Sequence, residues 1–370
     1  MAQFDPGPLA LGRVNSVPRG APPHDTMRIQ SQPSRILITG ATGVVGGLIV
    51  PALAGTGAML RVLTHRTAPS PDLHAAAPEA EFVPGDLERP ETLGSVVLGC
   101  DVVVHAAARA GFVTLDRDRQ RRVNVDGCEA LLDAAAAAGV RTFVLIGYSG
   151  TVQEREDFAT PVDEETPPEG EYEAEAVRMK YEAEAAVLEA NGRGGMRTLV
   201  VSPGVLAAPR TETLLGGLVS LYTAGELPYR ILDQVWLSVS DGRDLGGFVV
   251  AAIHRGRGGR RYFAVGESIR LGDLYERLAA ITGIAPPRRR LPDLLVEELG
   301  LLAPVLPSNS YLRRLILPRE LVRHLVRLAP VRNARTRSEL SVESTSLEDT
   351  FTRLVNGTGK RAAGAEEAAG

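Results

Sequence analysis

Cysteine is nearly absent from this sequence, which contains only Cys100 and Cys128. We expect both in buried or helical segments, so neither a disulfide framework nor a metal site is predicted, and this composition favours the reducing cytoplasm. No apolar run reaches the roughly 18 residues of a membrane-spanning helix, and no signal-peptide core lies near residue 1. Positive charge is not in excess either, because the net charge is −4. That balance argues against nucleic acid as a partner.

Regular periodicity is missing at both ends of the chain. Residues 1–33 are rich in proline, glycine, serine and arginine, and we interpret them as a disordered extension. The low complexity of residues 355–370 indicates a disordered tail. The apolar content of 44% is ordinary for a soluble protein and is enough for a sizeable core between these ends.

The most informative motif is a glycine turn between a predicted strand and a predicted helix. Residues 36–39 form a short apolar, β-branched run, and an apolar helical pattern begins at Leu48. Gly40, Gly43 and Gly46 lie between them at G-x-x-G-x-x-G spacing. Backbone N–H groups and the helix dipole at such a turn favour a pyrophosphate, and glycine lets the backbone approach it. The alternative is a plain strand-to-helix turn.

Strand and helix patterns alternate from this turn to about residue 205. The further predicted strands are 60–64, 81–83, 102–105, 142–146 and 198–202, with helices at 129–138 and 181–190. Repeated units of this kind build an α/β fold with a doubly wound parallel Rossmann sheet, whose ligands bind at the carboxyl ends of the strands. We therefore expect a dinucleotide-binding Rossmann domain over 34–205. A smaller, partly interleaved substrate-binding lobe is expected over 206–354.

These motifs make the chain similar to the extended short-chain dehydrogenase/reductases, the NAD-dependent epimerase/dehydratase family. Within that family it most resembles the branch of dihydroflavonol reductases, 3β-hydroxysteroid dehydrogenases and hopanoid-associated epimerase-like proteins. The similarity extends from about residue 35 to residue 354. It is carried by residues 39–46, 85–87, 105–107, 124–127, 180–187, 203–205, 239–245, 281–283, 333–335 and 339–340.

The resemblance implies a bound nicotinamide dinucleotide. The three glycines would line its pyrophosphate, and Asp86 would accept a hydrogen bond from the adenine amino group. Small residues at 106 and 107 would leave room beside the fourth strand. The alternatives are a turn role for Asp86 and simple helix packing for the alanines. The cofactor-binding residues that the resemblance implies are Gly40, Thr42, Gly43, Val44, Val45, Gly46, Arg66, Asp86, Leu87, Ala106, Ala107, Lys180, Pro203 and Val205.

Arg66 follows the second predicted strand, where the 2′ position of the cofactor's ribose would lie. No Asp or Glu occurs between Leu60 and Ser70 to bind the 2′-hydroxyl of NAD. A guanidinium suits a 2′-phosphate through paired, charge-assisted hydrogen bonds. We therefore predict NADP as the cofactor and keep NAD as the alternative. The competing interpretation of Arg66 is that it is a solvated surface arginine with no role in cofactor binding.

The family's catalytic serine, tyrosine and lysine have only partial counterparts. Lys180 matches the lysine that holds the nicotinamide ribose, but the position four residues earlier is Ala176, so the phenol that transfers the proton is missing. Tyr148 is the best substitute. Ser149 resembles the family's serine, unless a one-residue shift puts Tyr148 in that position, and Thr151 is a further hydroxyl candidate. The alternative is that Tyr148 and Ser149 merely finish a strand.

Two charged regions border the expected cleft. Residues 154–175 are acidic and would repel anionic substrates, or are simply solvated. In 311–317 and 320–328, leucine and isoleucine alternate with arginine at helical spacing. We favour a lid helix pair packed on the substrate lobe over contact with an anionic membrane surface.

The resemblance predicts an enzyme, an NADP-dependent oxidoreductase for a carbonyl or alcohol group on a neutral, fairly apolar small molecule. Ala176 keeps open a non-catalytic NADP(H)-binding sensor or scaffold, and the fold keeps open a sugar epimerase or dehydratase. A nucleotide-sugar substrate is disfavoured because Ser202 and residues 207–210 replace residues on which that branch relies. Ala-rich helix faces near 126–138 and 177–190 are compatible with the homodimer of related proteins.

Overall fold

The computed structural model describes residues 33–109, 111–112, 116–307 and 310–369, with side chains as far as residue 358. The strands are β1 Arg35–Thr39, β2 Met59–Thr64, β3 Glu81–Pro84, β4 Val102–His105, β5 Thr142–Ile146, β6 Arg197–Pro203, β7 Val205–Ala207, β8 Trp236–Asp241, β9 Arg260–Ala264 and β10 Ser268–Arg270. The helices are α1 Val44–Ala54, α2 Pro71–Ala76, α3 Leu93–Val97, α4 Arg117–Arg121, α5 Gly127–Ala137, α6 Gly150–Gln153, α7 Glu175–Glu189, α8 Leu214–Thr223, α9 Asp244–Arg255, α10 Leu271–Thr282, α11 Asp293–Leu299, α12 Tyr311–Leu315, α13 Arg319–Leu325 and α14 Leu347–Ala369.

Seven of the strands form one sheet in the order β3-β2-β1-β4-β5-β6-β9. Every neighbouring pair in it is parallel. The chain runs outward from β1 to β3 and then returns to place β4 beside β1, so the strand order reverses between them. This confirms the doubly wound Rossmann sheet, and it places a ligand crevice at the carboxyl ends of β1 and β4.

Helices cover both faces of the sheet, which explains why its strands are continuously apolar. Ile36 and Ile38 of β1 are fully buried against a layer that contains α1 and α9. Leu37 faces the opposite layer, which contains α3, α5 and α7. Cys100 and Cys128 are unpaired and buried in that second layer.

A three-stranded sheet, in the order β10-β8-β7, carries the smaller lobe. Side chains of α8, α10, α11, α13 and the first part of α14 form its apolar core. The chain also returns to the first sheet, because α9 packs against α1 and β9 pairs with β6. Residues after 205 therefore contribute to both halves of the molecule.

The carboxyl-terminal segment differs from expectation. Helix α14 continues to Ala369, whereas the sequence analysis expected a disordered tail over 355–370. Alanine has the highest helix propensity, and the Ala-rich composition that suggested low complexity continues a helix here. The expected extension 1–33 lies outside the described residues, apart from Pro33.

The arginine- and leucine-rich segment divides into two parts. In and after α13, Val322, Leu325 and Leu328 pack into the core of the smaller lobe. In α12, Tyr311 and Leu312 remain 46% and 55% exposed. Of the two helices expected to form a lid, α13 is therefore packed on the smaller lobe, whereas α12 stays largely exposed. No helix in the described ranges is long and apolar enough to cross a bilayer.

Candidate active site

The glycine turn after β1 is shaped by close contacts of the backbone with itself. Gly40 has a φ of +74°, and a Cβ there would lie 2.5 Å from the backbone nitrogen of Ala107. A Cβ on Gly46 would lie 2.2 Å from the carbonyl oxygen of Gly40, whereas one on Gly43 would lie 3.3 Å from that oxygen. A side chain at position 40 or 46 would therefore force the turn open, so packing requires glycine there even before a ligand binds.

The N-terminus of α1 opens toward solvent from this turn. Gly43 is the N-cap residue and supplies no side-chain cap, and the first turn of α1 contains no acidic side chain. Thr42 and Gly43 are exposed. The N–H groups of Val44 and Val45 and the helix dipole can therefore act on an anion. A diphosphate fits this cradle, because the N-cap residue has no side chain and no carboxylate lies in the first turn of α1.

Arg66 and Asp86 lie at the expected adenosine end of the site. Arg66 is exposed just beyond β2 and forms no ion pair with another residue that the structure describes. One carboxylate oxygen of Asp86 accepts the Glu88 N–H at 2.9 Å, and the other lies 3.3 Å from Nε2 of His65. Asp86 therefore stabilises its own turn, which is the turn role that the sequence analysis gave as the alternative to adenine binding. Leu87 is buried next to it.

Thr39 joins the carboxyl end of β4 to β1. The Ala106 N–H donates to the Thr39 carbonyl and the Ala107 N–H to the Thr39 hydroxyl, both at 3.2 Å. That hydroxyl is also hydrogen-bonded to Nδ1 of the buried His105 at 2.7 Å. Burial, with a smaller contribution from the charge of Lys180, lowers the pKa of His105 to about 3. The imidazole is therefore neutral at this strand end.

Buried amides fix the loop that follows β4. The Asn124 side chain accepts the Arg109 N–H at 2.7 Å and donates to the Arg109 carbonyl at 3.1 Å. The Gln120 amide donates to the carbonyls of Arg109 and Gly111 at 3.0 and 3.1 Å. Asn124 belonged to a family motif, but the sequence alone did not assign it this role. A polar amide within an apolar helical pattern is the signal that could have indicated it.

Lys180 lies on α7 close to this strand end. Burial lowers the pKa of Lys180, while Cys128 and Glu184 act in the opposite direction. Among the described residues, its ammonium has no hydrogen-bond or ion-pair partner. A cation in this position can donate to the ribose hydroxyls of a dinucleotide held by the glycine turn. Ala176, one helical turn earlier on α7, supplies no titratable group.

Ser149 is fully buried and its hydroxyl is already engaged. It donates to Oε1 of Gln153 at 2.6 Å. The Gln153 amide donates to the Ser238 hydroxyl at 2.8 Å and to the Ala329 carbonyl at 2.7 Å. Ser149 thus belongs to a polar bridge between the end of β5 and the smaller lobe.

Two other hydroxyls near β5 are also engaged. Thr151 donates to a carboxylate oxygen of Glu184 at 3.0 Å, and Glu184 forms a buried ion pair with Arg261. The Tyr172 O–H donates to the Thr151 carbonyl at 2.7 Å. Burial raises the pKa of Tyr172, so its phenol stays protonated and bound to the backbone. The ring of Tyr181 packs on Tyr172 at a centroid distance of 5.4 Å.

Tyr148 is the expected hydroxyl that meets a histidine. Its O–H lies 3.0 Å from Nε2 of His324, a residue of α13 in the smaller lobe. Nδ1 of His324 lies 2.5 Å from a carboxylate oxygen of Glu154. Burial, followed by the charge of Glu154, raises the pKa of Tyr148. The sequence analysis proposed Tyr148 but not its two partners.

The end of β6 completes the edge of the crevice. The Pro203 carbonyl accepts the Ser149 N–H at 2.8 Å, and Val205 begins β7 directly after the turn. A Cβ on Gly204 would lie 2.0 Å from the carbonyl oxygen of Ser238. Pro203 and Val205 therefore lie where the large sheet passes into the smaller lobe, beside the end of β5.

The strand order, the glycine cradle and Lys180 at the strand ends define the class, an oxidoreductase of the short-chain dehydrogenase/reductase type. Residues 37–238 match the model of the 3-beta hydroxysteroid dehydrogenase/isomerase family. The chain belongs to that family, which confirms the resemblance seen in the sequence.

Relatives and solved structures agree with this assignment. The chain is 28% identical over 277 residues to a 3-beta-hydroxysteroid dehydrogenase of Mycolicibacterium neoaurum, which covers 71% of this chain and 74% of that protein. It is 27% identical over 334 residues to sterol demethylase protein B of Methylococcus capsulatus, covering 86% and 96%. The crystal structure of gox2253 has a TM-score of 0.74 at 26% identity, covering 89% and 98%. Structures with bound NAD share the fold at 22% and 19% identity.

Proposed function

We propose that the protein is an NADP-dependent oxidoreductase that interconverts a carbonyl and an alcohol group on a neutral, apolar small molecule. The observation that carries this proposal is the common location of two features. The glycine cradle and the unpartnered ammonium of Lys180 both lie at the carboxyl ends of the large sheet. A bound nicotinamide would supply hydride transfer there. The turn at Gly40 and the first amides of α1 would hold the diphosphate, and Lys180 would orient the ribose.

The names of the relatives support an apolar substrate, since the two described above are a hydroxysteroid and a sterol enzyme. The acidic segment 154–175 supports a neutral substrate less strongly than its sequence suggests. Glu173 pairs with Arg327 at 2.9 Å, and Glu169 pairs with Arg155 at 3.1 Å. Because these pairs offset part of the negative charge, the argument for a neutral substrate depends mainly on the relatives.

Arg66 supports NADP over NAD, because its guanidinium is free at the edge where a 2′-phosphate would lie. Calorimetry should show tighter binding of NADPH than of NADH. Arg66→Ala should weaken NADPH binding by about tenfold, the loss of one charge-assisted contact, and leave NADH unchanged. Arg89→Ala is the matched control, because Arg89 is also exposed but pairs with Glu91. A wild-type preference for NADH would overturn the NADP assignment.

The test of the activity is turnover with NADPH and a panel of cyclic and long-chain ketones. Lys180→Met should weaken cofactor binding and lower turnover, and Lys180→Arg should restore part of the binding because it keeps a donor and a charge. Turnover of Lys180→Met at the wild-type rate would contradict the role of Lys180.

A second candidate is a non-catalytic NADP(H)-binding protein. Ala176 and the engaged hydroxyl of Ser149 favour it, since they remove two groups of the family's usual chemistry. Tight NADPH binding without turnover of any ketone in the panel, or of the corresponding alcohols with NADP, would support this candidate. A homodimer and a membrane-surface contact remain predictions beside either function.

A further inference from the structure

A half-buried phenol and two buried polar side chains form a continuous hydrogen-bonded line beside the crevice. The hydroxyl of Tyr148 contacts Nε2 of His324 at 3.0 Å, and Nδ1 of His324 contacts Glu154 at 2.5 Å. The side chains of His324 and Glu154 are both 0% exposed. Tyr148 and Glu154 flank α6 in the large domain, whereas His324 comes from α13, so the line crosses from one half of the molecule to the other.

The surroundings hold this line in one geometry. The second carboxylate oxygen of Glu154 accepts the Glu173 N–H at 2.6 Å. Backbone hydrogen bonds of 3.0 Å from Arg155 to Arg327 and of 2.8 Å from Ala329 to Gln153 fasten the end of α13 beside Glu154. A carboxylate on Nδ1 keeps a proton on that nitrogen, as in other carboxylate–histidine pairs. Nε2 then faces the phenol as the nitrogen that can accept its proton.

The phenol lies where reacting groups bind in this fold. Tyr148 is two residues beyond the carboxyl end of β5, next to Ser149, which is bonded to the end of β6. Phe112, from the loop after β4, stacks on the His324 ring at a centroid distance of 6.0 Å. Loops from three adjacent strands therefore converge with α13 at this point, and ligands of doubly wound sheets bind outside such strand ends.

We propose that Tyr148 transfers the substrate proton in this enzyme, with His324 and Glu154 as the residues that position it and hold the proton that it gives up. Tyr148 would thus replace the phenol that position 176 lacks. This inference rests on the proposed oxidoreductase function, and it adds two residues from outside the family's usual catalytic set.

The step balances in the direction of alcohol oxidation. The substrate O–H bond breaks and its proton passes to the Tyr148 oxygen, while the proton of Tyr148 passes to Nε2 of His324. The electron pair of the O–H bond forms the carbonyl, and the substrate C–H bond breaks as a hydride leaves to an oxidised nicotinamide. The substrate is oxidised and the nicotinamide is reduced. The imidazolium is stabilised by the Glu154 carboxylate until the product leaves, and its proton then returns through the half-buried Tyr148 hydroxyl to water in the crevice. Reduction follows the same path in reverse.

Gly150 provides a way to disturb the line without removing any of its groups. A Cβ at Gly150 would lie 2.1 Å from the Cε1 atom of the Tyr148 ring. The Gly150→Ala variant must therefore turn the phenol away from its present position. The ring then loses its alignment with His324, although the hydroxyl, the imidazole and the carboxylate all remain in the protein.

The competing explanation is a purely structural latch between the two halves. A latch would lower stability, cofactor affinity and turnover together when it is broken. Proton transfer instead predicts a selective loss of kcat, because the phenol is needed only in the reacting complex. The two explanations therefore differ in the KM-against-kcat split.

The experiment compares Tyr148→Phe, His324→Gln and Gly150→Ala with the wild type and with Tyr172→Phe. The control also removes one buried phenol hydrogen bond, but outside the line. Each protein is assayed for NADPH affinity, thermal unfolding, and kcat and KM for NADPH-dependent reduction of a 3-ketosteroid. Long-range proton–nitrogen NMR of histidine-labelled protein reports the His324 tautomer without any turnover.

We expect Tyr148→Phe and Gly150→Ala to lower kcat by about 10²-fold or more, the usual contribution of a positioned acid or base. His324→Gln should lower it by about 10-fold or more, as for other orienting partners. NADPH affinity and KM should change by less than about threefold, and Tyr172→Phe should match the wild type. NMR should show His324 protonated at Nδ1, with an Nε2 signal that shifts in Tyr148→Phe.

Three results would overturn the inference. The first is wild-type kcat in Tyr148→Phe with the activity intact, which would leave the proposed function standing. The second is a parallel loss of stability, affinity and kcat in all three variants, which is the behaviour of a latch. The third is a neutral His324 protonated at Nε2. A wild-type protein that binds NADPH and turns over no substrate would instead refute the oxidoreductase function, and the catalytic role of Tyr148 with it.

Discussion

At the scale of single residues, the spacing of the glycines in the first turn marked two positions, Gly40 and Gly46, where packing also requires glycine. The sequence indicated that glycine allows phosphates to approach. The structure adds that Gly40 and Gly46 press against backbone atoms of the same chain. A spacing motif identifies such positions, but it cannot show which neighbouring atoms would collide, because the loop carrying Ala107 is remote in sequence.

A pair of adjacent glycines tests this packing. Gly46→Ala should weaken NADPH binding by about tenfold or more and lower stability, because its Cβ would meet a carbonyl oxygen at 2.2 Å. Gly47→Ala is the control, since its Cβ would have its nearest neighbour at 3.5 Å. In a helix interior that change should raise stability by roughly 0.4–1 kcal/mol. Calorimetry and urea unfolding measure both effects, and equal behaviour of the two variants would contradict the packing argument.

His105 should make stability depend on pH. Its pKa is lowered to about 3 in the folded protein, against about 6.5 in an unfolded chain. As the pH falls below about 6.5, the unfolded chain gains a proton that the folded protein refuses, so stability falls by up to about 1.4 kcal/mol per pH unit. His105→Asn, which keeps a hydrogen-bond partner for Thr39, should flatten this dependence between about pH 6 and pH 4.

Urea unfolding at several pH values measures this slope. His74→Asn serves as the control because His74 is exposed, and it should leave the slope unchanged. An unaltered slope in His105→Asn would show that His105 is not the group that resists protonation.

At the scale of elements, the buried strands were predictable and long-range contacts were not. The expected strands at 36–39, 102–105 and 142–146 agree with β1, β4 and β5 within one residue, because strands buried on both faces are continuously apolar. His324 gave no such signal. It lies in an arginine-rich helix, and its partner Glu154 is 170 residues away in the chain, so only the assembled fold shows their contact.

The ion pair between Arg261 of β9 and Glu184 of α7 supplies a prediction for these two elements. Both side chains are almost fully buried. Arg261→Met should destabilise the protein by about 3–5 kcal/mol, because it leaves a carboxylate buried without its cation. Arg260→Met is the matched control, since Arg260 is the exposed neighbour on the same strand.

Glu184 also interacts electrostatically with Lys180, so the unpaired carboxylate of Arg261→Met should compete with a cofactor for that ammonium. We expect weaker NADPH binding in Arg261→Met and unchanged binding in Arg260→Met. Unfolding curves and calorimetry on both proteins check this. A loss of stability below about 1 kcal/mol in Arg261→Met would show that Glu184 does not need Arg261 to compensate its buried charge.

At the scale of the whole molecule, the sequence indicated two partly interleaved units but not which segments interleave. The chain leaves the large sheet after β6 and comes back to it as β9, and this return depends on contacts between distant segments. The predicted homodimer also belongs to this scale. Helices α5 and α7 pack against each other, and Ala134 and Ala185 on them are only partly buried.

A dimer that pairs these helices with a second copy should dissociate when a charge is placed on them. Ala185→Glu should shift sedimentation equilibrium from dimer to monomer, because the carboxylate would be buried without a partner. Ala280→Glu, at an exposed position of α10, should not. A wild-type protein that sediments as a monomer would end this prediction.

The main-chain hydrogen bonds between residues 153–155 and 327–329 also bear on how a ligand enters. They connect the two halves at the inner edge of the crevice, so the halves cannot separate by a hinge motion without breaking these hydrogen bonds. A ligand must instead enter between the loops that follow the strands of the large sheet. Entry should therefore depend on the width of a ligand more than on its length. Extended chains and flat ring systems should enter, and bulky, globular molecules should be excluded.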